Sequence, residues 1–127
     1  TSPVDNGSNT LVPEAGALAH ANHFVSPGLT GEDRYLQRKH HTSNRLHNIT
    51  SSLAATTRHS ETELRTVLSD HRDAPNSVCQ HPNPDVPAPE RTCTVAGIII
   101  DVAERSLVYS SGSPCEAPWT RHVLGNG

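Results

Sequence analysis

The chain has 127 residues and a formal net charge of −3, with an isoelectric point near 6.3. This charge balance offers neither the basic field that nucleic-acid binding needs nor a polybasic patch for a membrane surface. Hydrophobic residues make up 33% and aromatic residues 3% of the chain, a thin supply of core for an independent small domain. We therefore expect it to pack against a segment or subunit outside these residues.

The first predicted element is a strand over residues 16–25, "GALAHANHFV". Alternation places Leu18, His20, Asn22 and Phe24 on one face and turns His23 to the other. Residues 1–10 are polar and rich in Gly, Ser and Asn, which is typical of a flexible end.

Two helices are predicted next. Leu46, Ile49 and Leu53 lie at helical spacing, which favours a helix over 42–55 that Thr42 caps. A second helix is predicted over 61–71, because Ser60 and Glu63 match a capping box and are followed by an apolar stripe.

The C-terminal part carries the strongest β signal. "SVCQHP" predicts a short extended piece, and "PNPDVPAPE" a surface loop, since its four prolines cannot join a ladder. "RTCTVAGIIID" and "RSLVYSS" are rich in β-branched residues and predict a hairpin. We expect one partial α+β domain over 1–127, with 119–127 flexible. A cytoplasmic protein is expected, since the sequence has neither a run of 18 apolar residues nor a signal-peptide pattern.

Metal and nucleophile signals are weak. Three cysteines form no disulfide framework and no Cys-x-x-Cys pair. His20 and His23 would point to opposite faces of a strand, and Cys79 and His81 share a face but have no matching second pair. We expect no metal site, and cysteines that serve as small core residues rather than nucleophiles.

Asn22 is the residue most open to a functional interpretation. A strand asparagine beside a turn is usually a structural hydrogen-bonding residue. Alternatively, its amide could donate to the oxyanion that develops on a carbonyl during acyl transfer. The residues alone leave both alternatives open.

Four stretches in order are "GALAHANHF", "TSNRLHNITSSL", "LSDHRDAPNSVCQHP" and "RTCTVAGIIIDVAERSLVYSSGSPCE". Together they resemble the C-terminal half of the acyl-coenzyme A:isopenicillin N acyltransferase family, autoproteolytic N-terminal-nucleophile (Ntn) hydrolases. The resemblance covers residues 11–118. It implies part of an αββα sandwich, and an N-terminal cysteine thiol, freed by self-cleavage, that takes up an acyl group and passes it to an amine or to water.

The resemblance also implies roles for individual residues. Asn22 matches the oxyanion-hole asparagine, and Arg91 falls where some members have an arginine that grips a substrate carboxylate. Arg91 could equally be a solvated charge beside the proline-rich loop. His23, Thr42 and Arg45 match positions that we interpret as architectural, and Cys79 matches a core thiol.

The nucleophile is the main departure from the family pattern. No cysteine precedes Asn22, and the chain begins at Thr1 and contains no Met. We therefore expect a C-terminal fragment or processed subunit, inactive by itself, whose partner is a segment carrying the nucleophilic cysteine. The substrate would be a small acyl compound such as an acyl-coenzyme A, with no cofactor. The alternatives are a degenerate, non-catalytic binding or structural domain of the same fold and a small secreted glycoprotein.

Overall fold

The computed structural model describes residues 10–23, 25 and 41–125. These residues contain both helices and an antiparallel sheet, so the prediction of an α+β chain is confirmed at that level. The chain divides into two compact units, Thr1–Arg58 and His59–Gly127, and the single partial domain over 1–127 stays a prediction. The elements of the described residues are α1 (His41–Leu53), α2 (Glu61–Leu68), β1 (Ile98–Asp101), β2 (Ser106–Ser110) and β3 (Trp119–Val123).

The predicted strand over 16–25 is wrong for the residues of that span that the structure describes. Glu14 and Ala17 exchange two backbone hydrogen bonds of 3.0 Å and close a tight turn, in which Gly16 has a φ of +80°. After the turn, the backbone N–H of Asn22 donates to the side chain of Thr42 instead of to a neighbouring strand. Phe24 lies outside the described residues.

Helix α1 begins one residue before its predicted start and ends two residues before its predicted end. Its fully buried residues are polar, Thr42 and Asn48, while Leu46 and Leu53 of the predicted apolar stripe are half-buried. This helix is therefore held by polar contacts of its first turn as well as by apolar packing.

Helix α2 starts as its capping box predicts. The Ser60 hydroxyl accepts from the backbone N–H of Glu63, and the Glu63 carboxylate accepts from the backbone N–H of Ser60. The backbone N–H and the hydroxyl of Ser60 both donate to the Glu63 carboxylate, and these two bonds lower the pKa of Glu63. The helix ends at Leu68, three residues earlier than predicted, with Ser69 as its C-cap, and turns follow over residues 72–75.

The sheet has the order β1-β2-β3, and both neighbouring pairs are antiparallel. The predicted hairpin is present as β1 and β2, with Ile99 opposite Val108. Strand β2 is central, and its buried residues alternate: Ser106, Val108 and Ser110. Helix α2 lies on this face, because Arg121 of β3 pairs with Glu61 of α2 and also donates to the hydroxyl of Ser106.

On the opposite face of this sheet β1 and β2 carry apolar side chains, while β3 contributes Thr120 and His122. Ile98 and Ile100 of β1 are 60% and 68% exposed, and they lie opposite Tyr109 and Leu107 of β2. Isolated exposed apolar side chains are ordinary, but adjacent ones on one sheet face are typical of a surface that packs against another layer.

The segment after Pro118 was predicted to be flexible, but Trp119–Val123 forms β3. Trp119 anchors it by packing over Gly97, where an added Cβ would lie 2.9 Å from the Trp119 ring and 3.0 Å from Pro114. Only glycine fits at this close approach. Neither helix of the described residues has the length and hydropathy needed to cross a bilayer.

Candidate functional site

Asn22 lies beside the first turn of α1. Its backbone N–H donates to Thr42 Oγ1 at 2.9 Å, and its side-chain Oδ1 accepts from Arg45 Nη2 at 3.3 Å. Because the guanidinium can only donate, this contact makes Oδ1 the acceptor and leaves the Nδ2 group as the donor end of the amide. The side chain is exposed, so the amide is oriented and accessible.

His23 does not turn away from this site as strand alternation predicted. Its Nδ1 atom lies 3.0 Å from the same Thr42 hydroxyl that accepts from Asn22. Thr42 is fully buried, so one threonine fixes both members of the Asn-His pair. Since the segment is a bend rather than a strand, period-two alternation does not apply to it.

An apolar cavity of about 380 Å³ lies in the same unit, between the 11–25 segment and α1. Most of its lining residues are aliphatic, and the helix contributes Leu46 and Leu53 of its predicted apolar stripe. The larger apolar residues that line it are Leu11, Val12, Leu18, Val25, Leu46 and Leu53.

Arg91 is exposed, and its guanidinium donates to backbone carbonyls of the proline-rich loop. Nε donates to Val86 O at 2.8 Å and Nη2 to Pro84 O at 3.0 Å. These bonds close the loop on itself, so the structure gives Arg91 a loop-stabilising role. Its predicted grip on a substrate carboxylate stays a prediction.

A second group of chemically active side chains lies in the unit His59–Gly127. We call His71, Cys79, His81 and Cys115 the Cys–His cluster. All four ligand atoms lie within 4.8 Å of one another. The two sulfurs are 3.5 Å apart, Cys115 Sγ is 3.3 Å from His81 Nε2, and the two Nε2 atoms are 3.1 Å apart.

The chain around Cys79 is held by hydrogen bonds on both sides. The backbone N–H of Cys79 donates to Asp70 O at 2.9 Å, which ties the cysteine to the turn that carries His71. The Thr94 hydroxyl donates to Val78 O at 3.0 Å and accepts from Gln80 N–H at 2.9 Å. Cys79 is fully buried, as its predicted role as a core thiol requires.

Cys115 lies in the turn between β2 and β3. The Ser113 hydroxyl lies 3.4 Å from Thr94 O, which brings this turn to the strand-like segment beside Cys79. Trp119 Nε1 donates to Pro114 O at 3.1 Å and fixes the residue before the cysteine. Two segments far apart in sequence are thus fixed with their thiols in contact.

Burial raises the pKa of the Cys79 thiol to about 11, and its hydrogen bond with Cys115 contributes to the rise. A thiol with this pKa is protonated at neutral pH, whereas the nucleophilic form of cysteine is the thiolate. The expectation that Cys79 is not a nucleophile stays a prediction.

The sequence did not predict the Cys–His cluster. Cys79 and His81 are close in the sequence, but no second pair of ligands has a matching spacing. His71 lies before them across a turn, and Cys115 follows only after two strands. The Cys-x-His spacing was the available signal. Identifying its partners requires the β2–β3 turn, and β3 itself was not predicted.

Thr94 offers a test of how this region is held. Thr94→Val keeps the shape but leaves Val78 C=O and Gln80 N–H without their side-chain partner, so we expect a loss of about 1–3 kcal/mol in unfolding free energy. Urea denaturation of both proteins measures it. Thr92→Val, an exposed position two residues earlier, is the matched control and should change little; equal losses in both variants would contradict the assigned role.

The comparisons with known proteins add no assignment. No protein-family model matches the chain, and a search of curated proteins gives no match either.

Proposed function

We propose that the chain is the oxyanion-stabilising part of an acyltransferase or amidohydrolase of the Ntn type. In this proposal Asn22 donates to the oxyanion, and the nucleophilic thiol comes from a segment outside these 127 residues. The proposal extends to the fold, as part of an αββα sandwich, and to a partner segment that completes it.

One observation carries the proposal: the orientation of the Asn22 amide by the first turn of α1. The bend that carries Asn22 and the helix that carries Thr42 and Arg45 are two separate stretches of the family resemblance, and they are joined by hydrogen bonds. An oxyanion donor must be held in place before the charge develops, because reorganisation during the reaction costs rate.

The chemistry requires little else from this chain. A thiolate attacks the carbonyl carbon of a thioester or amide, and the carbonyl π electrons move to oxygen, which accepts from Asn22 Nδ2–H. Collapse of this tetrahedral intermediate expels a thiol or amine with a proton and leaves an acyl thioester on the enzyme. An amine or water then attacks that thioester and regenerates the thiol.

Two surfaces support the choice of substrate and partner. The apolar cavity between the 11–25 segment and α1 favours an apolar acyl group. The exposed β1–β2 face with Ile98 and Ile100 is the kind of surface that a second sheet covers in a layered fold.

The proposal is tested by producing the chain together with the coding sequence that precedes Thr1 in its gene and incubating the protein with a panel of acyl-coenzyme A thioesters. Intact-mass measurement is expected to show one acyl group on a cysteine outside the 127 residues, lost again when an amine is added. The alternative, a non-catalytic binding or structural domain, predicts no acyl adduct with any donor. An adduct that persists after replacement of the upstream cysteine would also contradict the proposal.

A further inference from the structure

The distances in the Cys–His cluster match those between the ligands of a tetrahedral zinc ion. Zinc lies about 2.3 Å from thiolate sulfur and about 2.0–2.1 Å from imidazole nitrogen. In a regular tetrahedron these bonds separate two sulfurs by about 3.8 Å, sulfur and nitrogen by about 3.6 Å, and two nitrogens by about 3.3 Å. Three of the six distances in the cluster are 3.5, 3.3 and 3.1 Å, in the same order and each slightly shorter, and the other three are no longer than 4.8 Å.

The donor set is the one that zinc prefers. Thiolate and imidazole are borderline-soft ligands, and two of each is a common composition of structural zinc sites. His71, Cys79 and His81 lie in the loop that follows α2, and Cys115 lies in the turn that follows β2. A set of four protein ligands fills the tetrahedron and leaves no open position for a substrate, which is the pattern of a structural rather than a catalytic site.

The contacts are less well explained without an ion. Thiols are weak hydrogen-bond donors and acceptors, and the sulfur–sulfur distance of 3.5 Å is far longer than the roughly 2.05 Å of a disulfide. The His71 and His81 rings are stacked with centroids 5.2 Å apart, and their Nε2 atoms are 3.1 Å apart. One cation at the centre satisfies all four ligand atoms at once.

A metal ion that cross-links these loops would stabilise the unit His59–Gly127, which buries few apolar side chains. Apart from Pro114, the buried apolar and thiol side chains of the described residues are Val78, Cys79 and Val108. A domain with so few core side chains commonly depends on a metal or a disulfide. An ion in the Cys–His cluster would join the turns after α2 to the β2–β3 turn, next to two of these three core residues.

We propose that His71, Cys79, His81 and Cys115 bind one zinc ion as a closed structural site that stabilises the unit His59–Gly127. This site is independent of the acyl-transfer proposal, since none of its ligands takes part in that chemistry.

The test is titration of the reduced, metal-free 127-residue chain with Co²⁺ and then Zn²⁺. We expect one Co²⁺ per chain with the strong visible absorption of a tetrahedral thiolate site, which Zn²⁺ then displaces. Cys115→Ser and His71→Ala each remove one of the four metal ligands and should weaken metal binding by about 100-fold or more. This loss exceeds the 10–100-fold effect of changing a residue that only hydrogen-bonds to a ligand. Cys93→Ser and His122→Ala, an exposed thiol and an exposed imidazole outside the cluster, are matched controls and should bind normally.

Cys115→His keeps the test decisive if a ligand-deleted variant fails to fold. This variant retains four ligands with one sulfur fewer, so it should still bind Co²⁺ while the thiolate absorption weakens. The proposal is overturned if the native chain binds no ion, if Cys93→Ser weakens binding as much as Cys115→Ser does, or if the absorption is that of octahedral Co²⁺. It is also overturned if the chain purified without reductant holds a Cys79–Cys115 disulfide and its reduced form takes up no zinc.

Discussion

Removing zinc from the loaded chain with a chelator should lower its unfolding temperature by roughly 15 °C or more. An ion that binds only the folded state stabilises it by about 4 kcal/mol when free zinc is 1,000-fold above the dissociation constant. In a domain of 60–100 residues each kcal/mol shifts the transition by about 4–8 °C. The effect should be large because the unit buries few apolar side chains besides Val78, Cys79 and Val108. Differential scanning calorimetry before and after chelation measures the shift.

The control separates metal binding from other effects of the chelator. Cys115→Ser should melt at the temperature of the chelated native chain and should not respond to zinc, whereas Cys93→Ser should behave as the native chain does. A native chain whose unfolding temperature is the same with and without zinc would show that the cluster is held by hydrogen bonds alone.

Asn22→Ala should lower kcat of the completed enzyme by about 100- to 1,000-fold, which corresponds to the roughly 2.7–4 kcal/mol that one oxyanion donor contributes. KM should change little, because the donor acts on charge that develops only in the transition state. Steady-state kinetics with one acyl thioester measures both constants. The fold should be unaffected, since the backbone bond from Asn22 to Thr42 remains.

Asn22→Asp sharpens the same experiment. The carboxylate keeps an acceptor for Arg45 but cannot donate to an oxyanion, so it should lose at least as much kcat as the alanine variant. Asn44→Ala changes an amide on α1 that lies two positions from Thr42 and therefore on another side of the helix, and it should retain normal turnover. Near-normal kcat in Asn22→Asp would exclude the oxyanion role.

Elements defined by local signals could be predicted from the sequence. The capping box at Ser60 fixed the start of α2, and β-branched residues located β1 and β2. The strand over 16–25 failed because its pattern of small apolar residues does not reveal the Glu14–Ala17 turn or the competing bond from Asn22 to Thr42. Strand β3 was missed because its only apolar residues, Trp119 and Val123, lie at its two ends, so its sequence shows no apolar alternation.

The two candidate sites differ in how much of each could be predicted from the sequence. Asn22 could be singled out because an amide in an apolar stretch is unusual, but its orientation depends on Arg45 of a separate segment. The Cys–His cluster depends entirely on tertiary contacts: the Cys79 N–H bond to Asp70 and the Ser113 contact with Thr94 bring its ligands together. Spacing rules detect zinc sites built from two local pairs, and only one such pair, Cys79 and His81, is present here.

X-ray absorption at the zinc edge of the loaded native chain tests the metal centre most directly. The fine structure should fit two sulfurs at about 2.3 Å and two nitrogens at about 2.0–2.1 Å from the ion, and Cys115→His should fit one sulfur and three nitrogens. A native ion surrounded only by nitrogen and oxygen, or by six ligands, would contradict a site formed by His71, Cys79, His81 and Cys115.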